Sequence, residues 1–457
     1  MRHALLLVVL LAGCAGGRSV PPGDTAPVPP PASVTPPVAT APIGAQDAAV
    51  ESAPVVIDRK TLPCGDVAAP PSRGIAPESM SAGAVRLART MDGELFVAVT
   101  AHGTFAVPSH TANSSSSHTQ LASTWGFVER GGRFVEIGEL ARGAEHPLAQ
   151  GRGIVIANDD GTLLVCKTGA HAVLPASPHA RTGKLLALRV DGGNVVAVFA
   201  EHGPRAAVCK GRRSGSTLTR VFVDRIDVDA QAPTWSTIAT RPVAVTPGQG
   251  CRAAMAASAA VAPGGASVVI AVESGTVIDG GDYVSSADTS LSLESWSAGR
   301  WETSKLAAHV QRPARVVVGL DKDSASVAMV DEPQDRFHVY RRDGASLVVQ
   351  GSEIEGLPLA LSASRLVSTD AKGTVLGSIG AGYRFHAHAL TGNAWNLITD
   401  PAQVTAVHHA SALIESSEIV AGTADTSDNK GPIVARIFRT EGRAWRPLPT
   451  FEVRPSM

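Results

Sequence analysis

Residues 290–307 read SLSLESWSAGRWETSKLA. Leu291, Leu293 and Ser295 alternate with Ser292, Glu294 and Trp296, the period of two that marks a half-buried strand. Ala298-Gly299 is the turn, because glycine reaches the positive φ that a two-residue hairpin loop needs. Trp301 opens the return strand. The same order of features recurs in WGFVERGGRFVEIGEL from Trp125, FHVYRRDGASLVVQG from Phe337, FHAHALTGNAWNLIT from Phe385 and VARIFRTEGRAWRPLP from Val434. Each has an alternating strand, a turn glycine (Gly131, Gly344, Gly392, Gly442) and a large apolar residue shortly after it. The chain is therefore built on a repeated hairpin.

Upstream of most hairpins lies a short, nearly continuous apolar run. These are ELFVAVTAHG from Glu94, GTLLVCKTG from Gly161, NVVAVFAEHG from Asn194, ASVVIAVESG from Ala266 and ASVAMVDEP from Ala325, with weaker versions in GTVLGSIG from Gly373 and SEIVAGTAD from Ser417. Runs so short and rich in Val predict strands covered on both faces. A third strand precedes several of them: AVRLART from Ala84, RGIVIAND from Arg152, KLLALRV from Lys184 and ARVVVGL from Ala314. The run AAMAASAAVA near Ala253 fits a short helix or an Ala-rich strand.

Phe134, Val173, Trp235, Trp301, Leu347, Trp395 and Trp445 mark return strands at intervals of roughly 40 to 65 residues, within and above the range of propeller repeats. Four strands per repeat and seven repeats predict an all-β fold, a β-propeller of seven four-stranded blades, which leaves no long open sheet edge. In organisation the repeats resemble kelch and BNR propellers, although the kelch Gly-Gly doublet does not recur in its place. APVVIDR from Ala53 is a spare strand, expected to pair with the last blade, with Cys64 placed to pin it.

The N-terminus, MRHALLLVVLLAGCAGG, has a basic start at Arg2 and His3 and an apolar run over Leu5–Leu11. That run is shorter than the roughly 20 residues a membrane span requires. Leu11-Ala12-Gly13-Cys14 resembles the bacterial lipobox. The resemblance covers the first 14 residues and implies cleavage before Cys14, a diacylglycerol on its thiol and an acyl chain (palmitate) on its amine. Two or more chains give stable anchoring. Ala15, where many inner-membrane lipoproteins carry Asp, implies the outer membrane of a bacterial cell envelope. Ser19 to Ala53 is rich in Pro, Ala, Thr and Val and cannot bury a core. It reads as a disordered stalk that spans on the order of 100 Å if fully extended, or as a tail with no spacing role. The expected domains are residues 1–13 (signal peptide), 14–53 (lipidated linker) and 54–457 (propeller).

A net charge of −1 over 457 residues argues against a nucleic-acid partner, which calls for a basic face. With Cys14 lipidated, four thiols remain, and export places them where disulfides form. Cys209 and Cys251 look like loop or strand-edge positions and are the expected pair. Cys166, in an apolar strand, reads equally as a reduced core residue or a bridge. No CxxC occurs, so neither a thioredoxin-like site nor a Cys-rich zinc site is expected.

Binding on such a scaffold is expected on its long loops. Four stretches read as loops: residues 100–123, polar; 201–217, locally basic; 273–289, locally acidic; and 422–432. Their chemistry-bearing residues are His102, His110 and His118; His202, Lys210, Arg212 and Arg213; Asp279, Asp282 and Asp288; and Asp425 and Asp428. Ala101-His102-Gly103 and Glu201-His202-Gly203 repeat one motif at matching places. His386 and His388, two apart on a strand, share a face and suit chelation, whereas the adjacent His408 and His409 would point oppositely. The aspartates offer hard oxygen ligands to Ca²⁺ but lack EF-hand spacing. No resident cofactor is expected beyond the acyl chains. No GxSxG, HExxH or P-loop is present. Ser368–Thr374 comes near the sialidase Asp-box but has an extra residue and no closing aromatic. The expected function is a lipid-anchored, non-enzymatic binding or scaffold module for a protein or envelope polymer, similar in plan to the propeller lipoprotein of outer-membrane assembly. The alternative is a glycan hydrolase or lyase with acidic residues on the loop face.

Overall fold

Alternating strands with tight glycine turns produce antiparallel meanders. The computed structural model describes residues 62–65, 79–107, 117–142, 150–158, 160–167, 169–204, 216–243, 252–276, 289–306, 313–321, 324–331, 336–370, 383–404, 410–415, 418–426 and 432–454. The first sheet is β1 (Ser79–Arg89), β2 (Leu95–Val107), β3 (Ser117–Arg130) and β4 (Arg133–Arg142). After the two-residue β5 (Gln150–Gly151) comes a three-stranded sheet of β6 (Ile154–Ala157), β7 (Leu163–Lys167) and β8 (Ala170–Leu174). Next are β9 (Gly183–Asp191), β10 (Asn194–Pro204), β11 (Ser216–Asp227) and β12 (Ser236–Pro242), with β5 added beside β9. A nine-stranded sheet follows. It holds the meander β13 (Arg252–Val261), β14 (Ser267–Thr276), β15 (Ser290–Ser297) and β16 (Arg300–Lys305), then β17 (Pro313–Asp321), β18 (Ser324–Asp331), β19 (Arg336–Asp343), β20 (Ser346–Val349) and β21 (Ile354–Glu355). The last two sheets are β22 (Leu357–Leu361), β23 (Arg365–Thr369), β24 (Tyr383–Thr391), β25 (Ala394–Leu397) and β26 (Ala402–Val404), then β27 (Ser411–Ile414), β28 (Ile419–Thr426), β29 (Ile433–Glu441), β30 (Ala444–Pro447) and β31 (Phe451–Val453).

The hairpin that set the expectation is β15–β16. Ser297 pairs with Arg300, and Ala298 and Gly299 carry φ of 49° and 77°, the paired positive angles of a type I′ turn. The Ala253 run is strand β13 rather than a helix. The apolar runs are the second strands, and they are buried on both faces: Val195, Ala197 and Phe199 enter one core while Val196, Val198 and Ala200 enter the next. In the sixth meander the second strand is β23, and GTVLGSIG from Gly373 lies outside the described residues.

Each apolar core is shared by two consecutive meanders, so the cores order them in space. Ala98 and Phe96 of β2 meet Ile154 and Leu164 of the next sheet. The same holds from sheet to sheet until Phe385 and Val367 meet Ala421 and Phe438. The last core joins the chain's two ends, since Val85, Val97 and Val99 pack with Val420, Ile433 and Ile437. The first strands touch in succession, β9 to β13, β13 to β17, β17 to β22 and β22 to β27, and β27 touches β1. The arrangement is all-β and propeller-like, with first strands innermost. Crowding there is physical: a Cβ on Gly319 of β17 would lie 2.5 Å from the Leu361 carbonyl oxygen of β22.

Two tryptophans fasten neighbouring sheets through backbone. Trp235 Nε1 donates to the Pro175 carbonyl, and Trp395 Nε1 to the Gln350 carbonyl, each at 2.8 Å. The spare strand beginning at Ala53 lies outside the described residues. Cys64 is bonded to Cys166 of β7, so it fastens to the second sheet and not to the last. Cys209 and Cys251 lie outside the described residues.

Cys64 and Cys166 close a loop of 102 residues and are both buried. Replacing both by alanine is expected to lower the unfolding free energy by about 2–5 kcal/mol, read from denaturant titration. An unchanged midpoint would mean that the bridge constrains nothing.

Candidate functional site

In the described four-stranded meanders, strands one and two, and strands three and four, join at the same end. Tight turns such as Asp191-Gly192-Gly193-Asn194 and Ser297-Ala298-Gly299-Arg300 lie there. The other end carries the connections from second to third strand and from sheet to sheet, which, apart from the short one between β7 and β8, are the longer ones. This long-loop end holds a cavity of about 550 Å³ between β9–β12 and β13–β16.

The cavity's polar side comes from both sheets. Arg241, near the end of β12, reaches across to Glu294 of β15, with Nη2 at 2.8 Å and Nε at 3.0 Å from Oε2. Its Nη2 also donates to Thr303 Oγ1 at 2.8 Å, and that hydroxyl donates to Glu294 Oε2 at 2.9 Å. Glu294 is 8% exposed, so the pairing offsets the cost of burying its charge. Ser274 and Ser290 hold their hydroxyl oxygens 2.9 Å apart, Ser292 adds a third hydroxyl, and Lys305 stands exposed at the rim. Val243, Ala254, Val272, Leu291 and Leu306 form the apolar part of the wall. Among the described lining residues Glu294 is the single carboxylate, and both its oxygens are engaged. The site's described lining offers hydroxyls, a cation and this one carboxylate.

Several predicted positions fall on strands rather than loops. Residues 100–107 continue β2 and 117–123 begin β3, paired from Thr100↔Thr124 to Val107↔Ser117. His102 lies on β2, and its imidazole occupies the space a Cβ on Gly83 would take, 2.5 Å from Nε2, where a bulge interrupts β1–β2. His118 lies in β3. His202 lies in β10 at a bulge opposite Leu218, so the two repeated His-Gly motifs occupy matching ends of second strands. Burial pushes the His202 imidazole below its ordinary value, and the nearby Lys184 charge acts the same way, against a backbone hydrogen bond at Ala200 that raises it. Asp425 lies near the end of β28. His110, Lys210, Arg212, Arg213, Asp279, Asp282, Asp288, Asp428, His408 and His409 lie outside the described residues. None of the described predicted residues lines the cavity.

His386 and His388 share a face of β24, as their spacing implied, with ring centroids 6.3 Å apart. Their nitrogens go to different partners: His386 Nε2 to Asp370, His388 Nε2 to Ser368 Oγ at 3.1 Å. Among the described residues no group of three His, Cys, Asp or Glu side chains is placed to hold a metal.

One polar cluster was missed from sequence. Asp224 of β11, fully buried, receives Ser177 Oγ, His179 Nδ1 at 2.8 Å and Thr237 Oγ1 at 2.8 Å. The His179 ring stacks on Phe222 at 3.6 Å. Ser177 bonds to the aspartate and not to the imidazole, so this is not a nucleophilic triad. It fastens the crossover before β9 to β11.

No protein-family model and no curated protein matches the chain. Among solved structures, a protein of unknown function from Dyadobacter fermentans is similar at TM-score 0.38 and 12% identity, over 79% of this chain and 95% of that one. The WD40 domain of SCAP from fission yeast gives 0.37 and 7%, over 85% and 90%. Penicillium chrysogenum alpha-L-arabinanase, complexed with arabinobiose, gives 0.33 and 11%, over 81% and 95%. At these values the activities in those names say nothing about this chain.

Burial pushes the His388 imidazole down to about 4, and the neighbouring His386 acts in the same direction. The folded ring stays neutral where the unfolded one, near 6.5, is protonated. Its contribution to stability is therefore whole above pH 6.5 and declines as pH falls to about 4, by about 3 kcal/mol at most. His388→Gln is expected to flatten that part of a stability–pH curve. An identical slope in the variant would assign the pH dependence elsewhere.

Proposed function

We propose that this protein is a non-enzymatic binding module whose long-loop end takes an anionic polysaccharide of the cell envelope. The observation that carries the reading is the state of Glu294. The cavity's one described carboxylate is neutralised by Arg241 and held by Thr303, and the Lys305 side chain and the hydroxyl-bearing Ser274, Ser290 and Ser292 also line the wall. A hydroxyl-lined cleft with a cation at its rim matches a carboxylated sugar chain, which presents many hydroxyls and recurring negative charge. A hydrolase needs two carboxylates facing the scissile bond. The described first strands, which line the ring axis, carry only Asp191 and Asp321. Both lie at the short-turn end, and Asp191 is paired with Arg189.

The full architecture in this proposal is a seven-bladed propeller. The nine-stranded sheet supports that count, because its two meanders meet through a single parallel pair, Lys305↔Ser346. Separating them gives seven meanders, and seven apolar cores lie between successive ones. The proposal keeps the lipid anchor at Cys14 that the Leu11–Cys14 stretch implies and the outer-membrane location that Ala15 implies.

Polygalacturonate serves as the probe of the cavity. The full-length protein is expected to bind it more weakly as salt rises, and Lys305→Glu is expected to weaken binding by about tenfold, in the range of one charged hydrogen bond. Equal binding by the variant would remove the cavity from the reading, and release of new reducing ends would replace it with the hydrolase.

Cys14→Ser is expected to abolish incorporation of labelled palmitate and to leave the protein outside the membrane fraction. Undiminished labelling would remove the anchor.

A further inference from the structure

Strand β16 is a wall with a neighbour on each face. Successive side chains of a strand point to opposite sides. Thr303 and Lys305 share the side that lines the cavity, and Glu302 and Ser304 share the other. Cross-strand pairing agrees with this division. Thr303 stands opposite Glu294 and Lys305 opposite Ser292, both of them cavity residues. Ser304 stands opposite Leu293, which belongs to the apolar core shared with β17–β20.

The back of this wall is held by the turn Asp343-Gly344-Ala345-Ser346, between β19 and β20. Ser304, fully buried, donates its hydroxyl to the Gly344 carbonyl at 2.6 Å. The Lys305 amide donates to the Ala345 carbonyl at 2.9 Å. Glu302 pairs with Arg342, the residue just before the turn. Gly344 has a φ of 55°, the left-handed conformation that glycine adopts without steric cost. These contacts surround the parallel pair Lys305↔Ser346 that joins the two meanders. They fall on the same short stretch, Glu302–Lys305, that gives the cavity its outer hydroxyl and its cation.

We propose that the β19–β20 turn is a positioning element of the cavity. Ser304 and Arg342 stand behind the wall and set its affinity for an anionic chain by fixing the backbone from which Lys305 projects. This rests on the cavity reading of the preceding section and deepens it. Lys305 is the last residue of β16, and strand ends are where local opening begins. A lysine on a loose strand end spreads its charge over many positions, and a ligand must order it on binding, which weakens affinity. The turn supplies that order in advance. The rim cation is thus held by a different meander from the two that form the cavity.

Polygalacturonate binding by the full-length protein, arranged as double-mutant cycles, tests this. Ser304→Ala is expected to weaken binding by about fivefold, the order of one hydrogen bond. Arg342→Gln, made on the other meander, is expected to weaken it by at least about twofold. In a Lys305→Ala background each change is expected to alter binding by less than about twofold, because the side chain it acts through is gone. Equal losses in both backgrounds overturn the inference, as does undiminished binding by both single variants. Should Ser304→Ala lose its near-UV circular dichroism, Arg342→Gln decides by the same criteria. The Lys305 amide gives a readout without ligand. Its hydrogen exchange is expected to quicken at least about tenfold in Ser304→Ala, while the Val269 and Leu293 amides keep their protection. Unchanged exchange at Lys305 overturns the inference. An unaltered protein that ignores polygalacturonate while its Lys305 amide responds as expected removes the cavity reading and keeps the positioning. Normal binding with additive cycles does the reverse.

Discussion

The structure depends on one constraint: each sheet is apolar on both faces, so none is stable without a neighbour on each side. The second strands carry it most plainly. Val268 and Ile270 enter the core shared with the preceding meander, while Val269 and Ala271 enter the one shared with the next. A row of such sheets can end only by exposing apolar faces at both extremes or by bringing the extremes together. Here the first and last sheets meet. Phe451 of the last sheet lies with its ring 4.3 Å from Phe127 and 4.6 Å from Phe134 of the first. Arg89 pairs with Glu415 and Glu418, and Arg439 with Glu129 and Glu418, so charges as well as apolar area join the two ends.

This closure uses packing and ion pairs, since β1–β4 and β27–β30 are each continuous in sequence. Among the described residues no strand is exchanged between the two. That places the covalent staple elsewhere, between Cys64 and the second sheet, the one with the fewest described strands. The cross-link limits the unfolded chain. The His171 contact and the Leu62–Gly169 hydrogen bond add local ties to the same sheet.

The sequence made legible what is local. Hairpins were readable because a glycine turn and an alternating strand lie within fifteen or so residues, as at Ser290–Lys305. The burial of second strands was readable from unbroken Val-rich runs. Residues 100–107 and 117–123 were misread as part of a loop because their sequence is rich in Ser, Thr, His and Gly and no apolar alternation marks it; the β-branched Thr100, Thr104 and Thr119 were the available signal. The Cys64–Cys166 bond was not derivable, since spacing alone cannot choose among three pairings. The cavity was invisible for a related reason. Arg241 and Glu294 stand 53 positions apart on different sheets, and only ring packing brings them together.

That origin of the cavity explains its chemistry. Where β17 meets β22, the sheets approach until a Cβ at Gly319 has no room. Farther out, clefts open between the outer strands of neighbouring sheets. Polar residues placed there can bridge the gap only if they are long, which is why arginine spans it from β12 to β15. Once Arg241 has crossed to Glu294, the pair braces the two walls and fixes the cleft's width, and the bracing consumes the carboxylate's hydrogen-bonding capacity. The ion pair that bridges the two walls thus also engages both oxygens of the cleft's one described carboxylate.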